Sequence, residues 1–160
     1  MVEKKAYINI LMDILEKKAE ILDGLLDRTA RQDVCLGTQL PDMDEFAILV
    51  DQKEELIEEL NRLDTGFERI YDNVKEDLDL NRNHYQKEIE KLQELIKNLL
   101  DKGMKLQVQE KKNKLKLELY FSKSKKEVRV FKQSNRSAAS YYNNMNSESS
   151  GRSYFLDKKN

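Results

Sequence analysis

Residues 46–74 read FAILVDQKEELIEELNRLDTGFERIYDNV, and this stretch decides the fold. Phe46, Leu49, Lys53, Leu56, Leu60, Leu63, Phe67, Ile70 and Val74 follow an alternating three-four step, with Lys53 the only polar member. That step returns to one side of a helix, so it marks a long amphipathic α-helix with a continuous seam. The phase runs unbroken through Asp64-Thr65-Gly66, which makes Gly66 a local weakness within one helix rather than a boundary. Just upstream, Pro41 precedes Asp42, and Glu45 lies three residues after Asp42. This is a capping-box pattern, so the helix is predicted to start near Met43. The pattern fails at Leu80-Asn81-Arg82-Asn83, and the predicted helix spans 43–79.

On the N-terminal side, Ile8, Leu11, Leu15, Leu22 and Leu25 give a helix over 4–29, its stripe widened by Ile14, Ile21 and Leu26. A stripe this wide implies burial against more than one neighbour. Gly24 costs this helix about 1 kcal/mol relative to Ala. Residues 30–41 read as a connection. On the C-terminal side, Tyr85, Ile89, Leu92, Ile96 and Leu99 open a third helix, predicted over 84–132. Its seam then passes through Gly103, Leu106, Glu110 and Asn113, so the face thins. At 1.5 Å per residue this helix is about 70 Å long, so its distal end should project beyond the bundle or find another partner. A second reading stays open: Leu106-Gln107-Val108-Gln109 and Leu115-Lys116-Leu117-Glu118-Leu119 alternate with period two, as a hairpin turning at Lys111–Asn113 would. The expected architecture is all-α, an antiparallel three-helix bundle or coiled coil with a long third helix. It divides into a helical domain, 1–132, and a flexible Ser/Asn-rich tail, 133–160.

Composition agrees. Charged residues make up 37% and hydrophobic residues 39%, with one Pro and five Gly, which suits long helices and starves a sheet protein of turns. The net charge of −1 hides a polarity: residues 42–101 hold 18 acids and 8 bases, whereas 102–136 hold 12 bases and 3 acids. The basic part should meet an acidic partner or the acidic part of the same chain. No segment has the apolar length of a membrane span or a secretion signal, and with Cys35 alone no intramolecular disulfide forms, so a cytoplasmic location is expected.

Little in the chain suggests chemistry. One His and one Cys cannot supply a structural zinc site or a ferritin-like di-metal site, and the glycines are too scattered to cradle phosphate. His84 reads as a turn residue, Cys35 as a small semi-buried apolar one, and Glu54-Glu55 and Glu58-Glu59 as a solvated face. No enzyme and no cofactor are expected. The lysines from Lys111 to Lys126 resemble a phosphate-binding run, but apolar residues are interleaved with them, which suits a partner helix at least as well. Residues 133–153 hold seven Ser and four Asn, too polar to order themselves, yet Tyr141, Tyr142 and Met145 sit there and Tyr154, Phe155 and Leu156 follow. The candidate partner-binding residues are therefore Leu106, Leu115, Leu119, Tyr120, Val128, Phe131, Tyr141, Tyr142, Met145, Tyr154 and Phe155.

Three stretches carry a resemblance. They are Lys53–Leu60 running into Asp64–Tyr71, then Lys91–Ile96, and above all the tail with Ala139–Met145 and Ser153–Lys159. In these the chain resembles the FlgN family of bacterial flagellar export chaperones, which belong to type III secretion. The resemblance implies a helical, non-enzymatic cytosolic protein, monomeric or weakly dimeric. It implies clients of the FlgK/FlgL type, hook-associated proteins of the hook–filament junction, gripped by their C-terminal helices and delivered to the export gate. It also implies client binding by the C-terminal part and a gate-docking tyrosine, with Tyr120, Tyr141 and Tyr142 as candidates. Other readings are a coiled-coil scaffold oligomer and a nucleic-acid-binding helical hairpin.

Overall fold

A computed structural model describes residues 2–122, and they form three helices: α1, Val2–Leu36; α2, Met43–Leu80; α3, Gln86–Phe121. The Asp42 carboxylate accepts from the Glu45 N–H at 3.1 Å, which caps α2 where the sequence predicts. Between α2 and α3, the Asn81 N–H donates to the Asp77 carbonyl (3.0 Å) and the Tyr85 N–H donates to the Asn81 carbonyl (3.1 Å). Tyr85 is buried there, with its hydroxyl donating to the Asp77 carboxylate at 2.7 Å. That acceptor, before burial, pushes the phenol's pKa above its ordinary value. The short connections make the bundle antiparallel, and α1 packs against both α2 and α3. Gly24 has a role in this packing: a Cβ there would lie 3.3 Å from Leu56 Cδ1, so the missing side chain lets α1 and α2 approach closely.

One expectation needs correction. The first helix does not end at 29; it continues to Leu36, and only residues 37–42 connect it to α2. Thr29 and Gln32 look like loop residues but are 0% and 1% exposed, so the inward face of α1 runs on through polar side chains. Over the described residues α3 finds a partner in α1 along its length. The extra turns of α1 supply its partner: Leu117 packs with Cys35, and Lys116 is paired with Asp33. The predicted continuation of α3 to 132 lies outside the described residues.

The core falls into two clusters. The larger runs from Ile8 and Leu78 to Leu106 and draws on all three helices. The smaller closes the other end with Cys35, Met43, Phe46, Leu49, Val50 and Leu117. Between them lies a polar layer. Lys53 of α2, 5% exposed, is paired with Glu110 of α3 and donates to Gln32 Oε1 of α1 at 2.8 Å. Thr29 Oγ1 lies 2.7 Å from the Leu25 carbonyl and 3.2 Å from Glu110 Oε1, its one proton serving either acceptor. Asn113 Nδ2 donates to the Thr29 carbonyl at 2.8 Å. Desolvation pulls the Lys53 ammonium below the usual lysine range, and the Glu110 carboxylate opposes that shift. Gln32 Nε2 and Asn113 Oδ1 have no protein partner among the described residues, so the layer is incompletely satisfied.

Candidate binding face on the third helix

The hairpin reading of 106–121 is resolved in favour of helix. Period two appears because α3 is apolar on two opposite faces. Residues two apart on a helix point about 200° away from each other. Leu106 and Leu117 point into the core, at 2% and 3% exposure. Met104, Val108, Leu115 and Leu119 point outward, at 64%, 55%, 63% and 70% exposure. Their spacing of four, seven and four residues confines them to an arc of about 60° along roughly 22 Å of helix axis. This is the spacing of a helical seam, here on the outward side of α3. Covering those four side chains contributes on the order of 4–7 kcal/mol before the costs of association.

Lysines border this stripe. Lys105, Lys112 and Lys116 lie along one edge, and Lys111 and Lys114 along the other. Lys116 is held by Asp33, whereas Lys105, Lys111, Lys112 and Lys114 are exposed and make no ion pair among the described residues. Lys111 and Lys112 occupy the turn between the two apolar pairs, where their aliphatic stems can bridge the gap.

The sequence candidates distribute unevenly. Leu115 and Leu119 stand on the outward stripe. Leu106 does not: it belongs to the large core cluster and is withdrawn from contact with a partner. Tyr120 is half-buried, packs against the small cluster and meets Phe121 edge-on at a centroid distance of 5.5 Å. Val128, Phe131, Tyr141, Tyr142, Met145, Tyr154 and Phe155 lie outside the described residues. Met104 and Val108 were missed as outward-facing; their phase with Leu115 and Leu119 carried the signal.

Among the described residues no group of three or more His, Cys, Asp or Glu converges on one point. Burial, with the nearby Asp42 and Glu45 carboxylates, pushes the Cys35 thiol above its ordinary pKa, so its thiolate is scarce at neutral pH. No helix among the described residues is long and apolar enough to cross a membrane.

The profile of one protein family, described as FlgN protein, matches residues 1–149. Neither the curated proteins nor the solved structures provide a match to this chain. The profile covers all three helices and most of the residues beyond them, and the bundle carries a helix-sized apolar face on α3. The chain belongs to the FlgN family, and its general role is that of a flagellar export chaperone.

Proposed function

We propose that this chain is a non-enzymatic cytosolic escort for the C-terminal helices of hook–filament junction proteins of the FlgK/FlgL type. It keeps those helices from aggregating or assembling early and carries them to the export gate. The observation that carries the reading is the outward stripe of Met104, Val108, Leu115 and Leu119, which no other part of the described bundle covers. An amphipathic client helix laid on it meets anchors at helical spacing. Tyr120 and the residues beyond it, Val128, Phe131, Tyr141, Tyr142, Met145, Tyr154 and Phe155, extend the contact in this reading. One of Tyr120, Tyr141 and Tyr142 serves at the gate. Stable self-assembly as a scaffold is disfavoured, because two copies of the stripe would bring their unpaired lysines together.

Co-expression of the full-length chain with each junction protein tests the proposal. A stable complex is expected, and it should be lost when Leu115 and Leu119 are both replaced by Ser. Failure of every junction protein to co-purify with the unaltered chain would sink the assignment of clients.

A further inference from the structure

We infer that the outward stripe of α3 is built for an acidic amphipathic helix, a helix whose apolar ridge is bordered by carboxylates on both sides. This deepens the reading of the chain as an escort for helical segments, and rests on it.

The stripe offers two kinds of recognition at once. Its four apolar side chains are between 55% and 70% exposed and in phase, so they accept one helical ridge. Lys105, Lys111, Lys112 and Lys114 flank that ridge and make no ion pair among the described residues, and a single exposed carboxylate, Glu118, stands on the Lys111–Lys114 edge, so the border is net basic. Elsewhere on the bundle some exposed cations are paired, as Arg31 is with Asp27 and Lys75 with Asp72, and others, such as Arg62 and Lys97, make no ion pair among the described residues; the stripe differs in that its unpaired lysines gather along an exposed apolar ridge. Like charges gathered on one helix surface repel, and acidic groups arriving from outside relieve that repulsion.

Charge also rejects the two other candidates for the site. A second copy would present the same lysines. The chain's own residues 123–160 hold nine bases and three acids, the same sign as the stripe's border. A helix carrying Glu or Asp beside its ridge satisfies both the apolar and the ionic demand, and the ionic part selects which ridge is accepted.

The test uses the full-length chain and two synthetic fluorescent peptides, each about three heptads long with the same Leu ridge. One carries Glu at the flanking positions and the other carries Lys. Anisotropy should show the Glu-flanked peptide binding tighter by about tenfold or more. The preference should shrink as salt rises and the Debye length contracts from about 10 Å at 0.1 M to about 3 Å at 1 M. The triple variant Lys111→Glu, Lys112→Glu, Lys114→Glu changes only exposed side chains and should reverse the preference. Equal binding of both peptides overturns the inference, and so does a preference that survives the reversal. Light scattering showing a dimer that the same triple variant alters would assign the stripe to a second copy. Carbodiimide cross-links from Lys111 or Lys112 to Glu148 or Asp157 of the same chain would assign it to the chain's own C-terminal segment. If junction proteins co-purify while the peptides show no charge preference, the partner chemistry fails and the proposed function stands. If the charge preference holds and no junction protein binds, the client assignment fails alone.

Discussion

The two ends of this bundle are built on different terms. The large cluster from Ile8 to Leu106 draws seventeen buried apolar and aromatic residues from three helices and the α2–α3 connection, and its polar interruptions are the buried Lys18–Asp64 pair and Gln93. The small cluster rests on six buried residues and is cut off from the first by the Lys53–Glu110 layer. The outward stripe of α3 starts with Met104 and Val108, beside Leu106 of the large cluster, and ends with Leu115 and Leu119, beside Leu117 of the small one, so it spans the polar border. Stability in such a molecule is uneven: the large cluster sets global unfolding, and the small end opens at lower cost. Its polar border fixes which turns of the three helices face one another.

The largest effect should come from breaking that border on one side. Glu110→Leu leaves the buried Lys53 without its carboxylate and should cost about 3–5 kcal/mol in chemical denaturation. The double variant Lys53→Met, Glu110→Leu should recover that loss and can exceed the parent by about 1–4 kcal/mol, because an apolar layer joins the two clusters. A double variant as unstable as the single one would show that the layer contributes more than register. Next comes a leucine deletion at either end. Leu60→Ala, in the large cluster, should cost about 2–5 kcal/mol. Leu117→Ala should fall at the lower edge of that range, because the small end relaxes around the lost volume. Equal losses would erase the distinction between the ends.

The cap at Asp42 gives a local test. Asp42→Ala should cost about 1 kcal/mol. The loss should appear chiefly at the small end, read as faster alkylation of the buried Cys35 thiol under native conditions. Alkylation that rises only in step with global unfolding would argue that the small end has no separate opening.

How much of this was legible from sequence follows from where the information sits. The α2 seam and its cap are local, so Phe46 through Val74 and the Asp42–Glu45 pair could be read directly. The end of α1 could not. Thr29 and Gln32 are buried only because partners arrive from 21 to 84 positions away: Lys53 on Gln32, Asn113 on the Thr29 carbonyl. Each polar interruption looks like a weak spot when its own helix is read alone. Lys53 in α2 and Glu110 and Asn113 in α3 become coherent only as one cross-helix layer. The candidate site was legible in part. Leu115 and Leu119, singled out by their interleaving with lysines, stand exposed, whereas Leu106 is buried, because apolar character alone does not say which side of a two-faced helix a residue occupies.

The smallest expected change in stability is also the sharpest contrast. Leu115, Leu117 and Leu119 are the same residue type at two-residue intervals on one helix, yet only Leu117 is buried. Replacing Leu115 and Leu119 with Ser removes apolar surface that already meets water, so thermal or urea unfolding should shift by no more than about 0.5 kcal/mol per site. Partner capture should nevertheless collapse, because the ridge of the incoming helix loses two of its four anchors. Leu117→Ala should give the reverse pattern, with lower stability and capture retained wherever the fold survives. If the outward pair destabilised the free protein as much as Leu117 does, those leucines would be covered within the chain itself. The two-faced reading of α3 would then give way to a bundle whose outer face is already occupied.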